Sequence, residues 1–344
     1  MPFLKSPLEI YWVLTNKCNI DCTFCFMDAE KYRADGFELS AAEREIILNE
    51  IVENEVLKVI LTGGEPMLVP EIFDYIQKFR QHNIWVELTT NGTRLTENNI
   101  CKLKDCGLNV IQLSINGSEI SINDKLMGFS FSRIVKNAEL LIKRDFRVHF
   151  KVTVTRQNIS DVPNIIRLAE RLGIEETTLD EIVPVGRGAA NYYNLKPSRN
   201  DIVWLHHQLK AMQASIEYET DLDSFTMDLE QNNHGPICTL GDEDIYSGQI
   251  FQYGDLYQCT LSNILKEKNS VLEKGLAKAW QDLDWLMNKY VNPQKLIGFC
   301  KTCGGCAGGC RPMAYIATGN IWGDFTYCSS WNSNNVSKNL EGLN

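Results

Sequence analysis

A chain of 344 residues is long enough for one large domain and a smaller one. Hydrophobic content of 44% and charged content of 23% are ordinary for a globular protein in water, and a formal charge of −10 with a pI near 5.1 argues against a nucleic-acid partner, which needs a basic face. No stretch approaches the roughly 18 apolar residues that span a bilayer, and the opening MPFLKSPLEIYWVL lacks the regions of a signal peptide, so the expectation is a cytoplasmic protein with no membrane contact.

From Ile10 to about Pro184, short β-branched runs alternate with helical patterns. The predicted strands are Ile10–Leu14, Leu57–Leu61, Ile84–Thr89, Asn109–Ile115, Arg147–Thr155 and Thr177–Val183; the predicted helices lie near 40–54, 71–82, 97–106, 132–144 and 161–172. The first helix opens on a capping box, Ser40-x-x-Glu43, and carries Ile47, Leu48, Ile51 and Val52 on one side. Such alternation implies parallel strands with right-handed crossovers, and six units predict an α/β fold, a partial (β/α)6 barrel. In the fifth strand one face is Val148, Phe150, Val152 and Val154, and the other is His149, Lys151, Thr153 and Thr155. Helices need the apolar face, so the polar face should line the interior, where a closed barrel packs bulky branched side chains. A solvated face on an antiparallel sheet gives the same alternation, but the intervening helices disfavour that topology.

Barrel enzymes place their sites at the C-terminal ends of the strands, and each unusual loop falls there. Cys18–Cys25 follows the first strand, Gly63-Gly64-Glu65-Pro66 the second, Thr90-Asn91-Gly92 the third and Ser114-x-Asn116-Gly117 the fourth. Thr155, Arg156 and Asn158 follow the fifth, and Pro184-x-Gly186-Arg187-Gly188 the sixth. The first loop, Cys18-x3-Cys22-x2-Cys25, holds three thiols, with no fourth Cys or His within it. Zinc and iron–sulfur sites normally take four protein ligands. A cubane held by three thiolates keeps one iron open to a ligand that is not protein; a zinc loop is the plainer alternative.

Cys18-x3-Cys22-x-Phe24-Cys25 resembles the signature of the radical S-adenosylmethionine (radical SAM) superfamily, and the resemblance covers about residues 8–190. It implies that Cys18, Cys22 and Cys25 hold a [4Fe–4S] cluster whose open iron chelates S-adenosylmethionine (SAM). One electron then splits the sulfonium to a 5′-deoxyadenosyl radical that abstracts hydrogen. The resemblance further implies that Phe24 presents backbone groups to adenine, and that Gly63, Gly64 and Glu65 meet the SAM amino group. Asn91, Ser114 and Asn116 would also contact the cofactor, with Asn116 standing where the family commonly has Asp beside the ribose. Arg156 is a candidate for the SAM carboxylate, or a rim charge. Pro184–Gly188 resembles an adenine-side turn.

Ten of the twelve cysteines fall into two groups, residues 18–25 and 238–328, a pattern that suits metal better than disulfides. The second group, Cys238, Cys259, Cys300, Cys303, Cys306, Cys310 and Cys328, resembles the SPASM extension, a small, loop-rich C-terminal iron–sulfur domain with two auxiliary [4Fe–4S] clusters. Its Cys-x2-Cys-x2-Cys run departs from the family's longer second spacing. The resemblance implies Cys238, Cys259 and Cys310 on one cluster, with Asp244 a candidate to complete it, and Cys300, Cys303, Cys306 and Cys328 on the other. Three units are expected: a radical SAM barrel over 1–195, a helical linker over 196–234 with a helix at Asp201–Tyr218, and the auxiliary domain over 235–344. Cys101 and Cys106 read as small buried hydrophobes, and Trp12, Trp85, Trp204 and Trp280 as core.

The family resemblance implies an oxidoreductase with three [4Fe–4S] clusters, fed by an electron donor such as flavodoxin or ferredoxin. It favours modification of a ribosomally made peptide or protein by cross-linking, dehydrogenation or related side-chain chemistry. About nine residues precede the first strand, so leader binding is expected of a separate protein. A small-molecule substrate such as a tetrapyrrole is the alternative, and a non-catalytic iron–sulfur electron carrier a third.

Overall fold

The computed structural model describes residues 4–27, 38–128, 130–212, 217–220, 246–265, 267–290, 292–303 and 308–325. Along the barrel run β1 (Glu9–Val13), α1 (Ala41–Glu53), β2 (Lys58–Thr62), α2 (Ile72–Gln81), β3 (Trp85–Thr90), α3 (Glu97–Asp105), β4 (Val110–Ser114), α4 (Ile120–Met127), α5 (Phe131–Ile142), β5 (Arg147–Val154), α6 (Val162–Leu172) and β6 (Glu176–Glu181). There follow α7 (Gly186–Leu195), α8 (Arg199–Ala211), β7 (Glu217–Thr220), β8 (Ser247–Ile250), β9 (Leu256–Tyr257), α9 (Val271–Lys274), α10 (Leu276–Tyr290), α11 (Gly298–Cys303) and α12 (Arg311–Thr318). The six predicted strands are present to within two residues, and the capping box forms: Ser40 Oγ accepts from Glu43 N, and Glu43 accepts from Ser40 N at 2.8 Å.

The sheet order is β7-β6-β5-β4-β3-β2-β1-β8-β9, parallel throughout except for β8 against β9. Among the described residues its end strands do not pair, so the barrel is open, as the alternation predicts. Outward residues of the strands bury against the helices. Trp12 stacks on Tyr75 of α2 at 5.7 Å and meets Phe79 edge-on at 6.2 Å, while Val86, Leu88, Ile111, Leu113 and Phe150 join the same core. Inward residues are polar, so the period of two does here what the sequence implies.

The parts after β6 differ from expectation. The predicted helix Asp201–Tyr218 stops at Ala211, and the alternating Glu217-Tyr218-Glu219-Thr220 pairs with β6 instead. The region expected as a separate iron–sulfur module sends β8 into the barrel sheet beside β1. It also buries Trp280 of α10 in the barrel core, with the indole N–H donating to the Leu4 carbonyl at 3.0 Å. Trp204 is not core: it is 40% exposed. Cys101 is exposed rather than buried and accepts from Arg144 Nη1 at 2.7 Å, and Cys106 is half-buried at the end of α3.

Candidate functional site

The loop carrying Cys18, Cys22 and Cys25 leaves β1 at the C-terminal rim and is tied down from four directions. From the loop after β2, Gly64 N donates to Thr15 O at 2.7 Å and Glu65 N to Lys17 O at 2.8 Å. A Cβ on Gly63 would lie 2.6 Å from Thr15 O, and one on Gly64 2.3 Å from Lys17 O. The close approach these glycines permit is therefore to the backbone of Thr15–Lys17. From the loop after β3, Asn91 Nδ2 donates to Asn19 Oδ1 at 3.0 Å and reaches the Cys18 Sγ at 3.8 Å. From the end of α4, Leu126 O accepts from Thr23 N at 2.9 Å. From α7, Arg187 Nη1 donates to Cys22 O at 2.9 Å, Asn191 Nδ2 to Thr23 O at 2.8 Å and Gly188 N to Cys25 O at 2.9 Å. Pro184–Gly188 is thus the lead-in and first turn of a helix packed on the thiol loop, with Phe24 O in close contact with Gly188.

Two of the residues expected to contact the cofactor lie in buried hydrogen-bond networks. The Glu65 side chain is 0% exposed, and its carboxylate accepts from Met67 N at 3.0 Å, Thr90 Oγ1 at 2.7 Å and Asn91 N at 2.8 Å. It joins the loops after β2 and β3. Burial pushes this carboxyl up, and those three donors pull it back. Asn116 is also buried: its Oδ1 accepts from Thr153 N at 2.8 Å and its Nδ2 points at Met127 Sδ at 3.0 Å, so the Asn that replaces the family's Asp braces β4 against β5 and α4. Arg156 is exposed on the rim, where its charge is felt by Asp201, which pairs with the N-cap Ser198 in the capping box of α8. Ser114 ends β4 on the inward face, half-buried.

The three thiols suit an iron–sulfur cluster. Burial, then the charges of Cys25 and Cys18, push the Cys22 thiol far up, and Arg187 opposes the rise; burial does the same to Cys18. Iron must displace those protons, and N–H groups stand ready at the sulfurs, Asn91 Nδ2 near Cys18 and Met27 N at 3.4 Å from the Cys25 Sγ. Among the described residues no three Cys, His, Asp or Glu side chains gather to hold a single ion; a cubane differs in giving each iron one thiolate. Beside Cys18, the Asn16 carboxamide is buried with neither polar atom partnered among the described residues, a donor and an acceptor left over next to the loop. Val13, Met27, Phe251 and Tyr257 pack on Cys25 and keep water from that flank.

Below the loop the inward faces enclose an open polar chamber. Tyr11 is 39% exposed although β1 is paired on both sides, so its ring projects into open interior space. Lys58 bridges Glu9 at 3.2 Å and Glu87 at 3.1 Å, Gln112 donates to Glu87 at 2.6 Å, and Lys151 pairs with Asp180 at 2.9 Å. Burial, and then the carboxylates of Glu9, Glu87 and Asp180, hold the Tyr11 phenol well above its ordinary range, so it keeps its proton.

Of the second thiol group, Cys259, Cys300 and Cys310 converge on one apolar cluster of Leu261, Met313 and Phe325, which also packs against Val183 and Val185 after β6. Phe325 N lies 3.2 Å from the Cys300 Sγ. Cys238, Cys306, Cys328 and Asp244 lie outside the described residues, as does the side chain of Cys303. Sequence reasoning missed Asn191, the end of α4, Asn16 and Thr93, whose hydroxyl accepts from Asn19 Nδ2 at 2.7 Å. Asn16 alone carried a signal, a polar residue between a buried strand and the first thiol.

The family model of the radical SAM superfamily matches residues 12–169. An AdoMet-dependent heme synthase of Methanosarcina barkeri is 26% identical over 94% of this chain and 97% of that protein. Mycofactocin maturase MftC of Mycolicibacterium smegmatis is 28% identical over 91% of this chain and 80% of that protein. Among solved structures, Streptococcus suis SuiB bound to S-adenosylmethionine superposes with a TM-score of 0.74 at 19% identity, covering 95% of this chain and 78% of that one; SuiB has also been solved with its precursor peptide SuiA. The family implies SAM and one [4Fe–4S] cluster, and the three-thiol loop fits both. The chain carries a radical SAM domain over residues 12–169 and is similar over most of its length to a heme synthase and a maturase.

Proposed function

We propose that this enzyme modifies side chains of a ribosomally made peptide, with Cys18, Cys22 and Cys25 holding the SAM-binding cluster. When bound, cluster and SAM supply a carbon radical strong enough to take hydrogen from an unactivated C–H bond. The chain's own residues do the rest. Asn91, Arg187 and Asn191 fix the thiol loop, and Val13, Met27, Phe251 and Tyr257 exclude water beside it. The resemblance assigns SAM to Phe24, Gly63, Gly64 and Glu65 on one side and to Asn91, Ser114, Asn116 and Arg156 on the other. Tyr11, Gln112, Lys151 and Asp180 line the space where substrate is held.

The observation that carries the peptide reading is the chamber itself. It is polar, it opens between sheet edges that do not pair, and a central-strand tyrosine stands exposed in it, as suits an extended polar chain. The maturase relative and the SuiA complex support the same reading. Cys259, Cys300 and Cys310, with the thiols outside the described residues, are assigned to two auxiliary [4Fe–4S] clusters, and Asp244 to one of them. Those clusters would take up the electron that net oxidation releases. An external reductant such as flavodoxin or ferredoxin and a separate leader-binding protein complete the scheme. The unit boundaries 1–195, 196–234 and 235–344 are kept as functional divisions, although β8 crosses into the barrel sheet.

A second reading, small-molecule chemistry on a tetrapyrrole, is favoured by one finding, the near end-to-end match to the heme synthase. One experiment separates them. Anaerobically reconstituted protein with reductant and SAM should release 5′-deoxyadenosine, and mass spectrometry of a candidate peptide should show loss of two hydrogens. An unchanged peptide alongside turnover of a tetrapyrrole would replace the first reading with the second.

A further inference from the structure

The segment from Val183 to Asn191 touches both thiol groups. Val183 and Val185 pack against the apolar cluster that holds Cys259, Cys300 and Cys310. From the next residue, Gly186, the same segment grips the first loop. A Cβ on Gly186 would lie 2.3 Å from Phe26 O, and Gly186 has φ +58°, so the helix start is pressed directly onto that loop. Arg187 stands at the centre of this contact. Its side chain is largely buried, one nitrogen on Cys22 O and the other 3.3 Å from the exposed Asp21 carboxylate. Asp21 thus meets Arg187 at the solvent edge, while the guanidinium lies against the main chain of a cluster ligand.

We propose that Arg187 is a positioning residue that sets the reduction potential of the SAM-binding cluster and anchors its loop to the β6–α7 turn, which packs against the auxiliary thiol group. The proposal rests on the assignment of Cys18, Cys22 and Cys25 to that cluster. A fixed positive charge beside an iron–sulfur cluster favours its reduced, more negative state. At protein-like dielectric and a separation of a few side-chain lengths, one charge changes the reduced-to-oxidised ratio roughly tenfold. The guanidinium also holds Cys22 O by a directional bond that an ammonium cannot reproduce in full.

The test uses reconstituted holoenzyme poised anaerobically at one fixed potential, reading the component of the EPR signal that changes on adding SAM, with iron content measured in parallel. Arg187→Gln should retain iron and lower the reduced-to-oxidised ratio of that component about tenfold. Arg187→Lys should recover most of the ratio, since it keeps the charge, but broaden the SAM-induced change. Asp21→Asn, at an exposed position, should raise the ratio. An Arg187→Gln ratio within about twofold of wild type, or equal losses in the Gln and Lys variants, overturns the proposal. If Arg187→Gln fails to hold iron, an unchanged ratio in Asp21→Asn overturns it instead. Wild-type protein showing no SAM-responsive signal would refute the cluster assignment itself, a result distinguishable from all of these.

Discussion

Glu65 offers the sharpest test of how the rim is built. Glu65→Ala deprives the buried Asn91 N–H, the partly buried Met67 N–H and the Thr90 hydroxyl of their acceptor. Each buried N–H left unpaired costs about 1–3 kcal/mol, and the Thr90 hydroxyl less because it can turn. The vacated volume adds about 1 kcal/mol, while relief from burying a carboxylate returns a few kcal/mol. The net expectation is a loss of about 3 kcal/mol for Ala. Glu65→Gln keeps the shape and one acceptor oxygen but turns an NH2 toward at least one donor, for a loss of about 1–2 kcal/mol. Guanidinium unfolding of the apo-protein followed by far-UV circular dichroism gives both differences by linear extrapolation. Because Asn91 also reaches Cys18, the Ala variant should retain less iron after reconstitution than the Gln variant. An Ala variant as stable as wild type, or a Gln variant as damaged as Ala, would refute the account of Glu65 as a buried brace.

Gly186→Ala must place a side chain at φ +58° and 2.3 Å from Phe26 O, so it should leave the far-UV spectrum unchanged while iron is lost on gel filtration. Asp124 accepts from Ser130 N at 3.1 Å and Phe131 N at 2.9 Å and so caps α5, which has no side-chain cap of its own; Asp124→Ala should cost about 1 kcal/mol. Burial would raise the Asp124 carboxyl, but these donors and Asn123 outweigh it and hold the folded value below the usual range. The stabilisation is therefore complete above the unfolded carboxylate range and is lost as pH falls through the lower folded value, so the wild-type and Ala unfolding midpoints should converge in acid. Removing iron from reconstituted protein with a chelator should lower Tm, and SAM should raise Tm only while the cluster is present, since each binds the folded chain alone. Loss of that conditional SAM effect in intact protein would count against the three-thiol site.

The barrel was legible because its signals are local. The strands' period of two and the Ser40–Glu43 box act over a few residues, and those elements formed almost where expected. The strands after β6 were not legible, because what makes β8 a strand is the free edge of β1, more than 200 residues earlier in the chain. Trp204 and Cys101 went wrong for a related reason: composition speaks to average burial, and both stand on exposed helix faces.

The site shows the same division at closer range. The spacing of Cys18, Cys22 and Cys25 states its chemistry outright, because three thiols in one loop have few other uses. The hydrogen bonds of Glu65 and Asn116 were not legible, because a motif tells which residue type stands at the rim, not which way its side chain turns. Glu65 accepts from Met67 N, Thr90 Oγ1 and Asn91 N, and Asn116 from Thr153 N of β5; a buried polar side chain is claimed by the nearest such donors. Arg187 and Asn191 have the opposite history. Their partners, Cys22 O and Thr23 O, lie more than 160 residues away, and closing the sixth βα unit onto the first brings them together. A barrel makes neighbours of the rim loops at the C-terminal ends of its strands, so groups that steady a cofactor loop are to be sought there, even where sequence gives no sign.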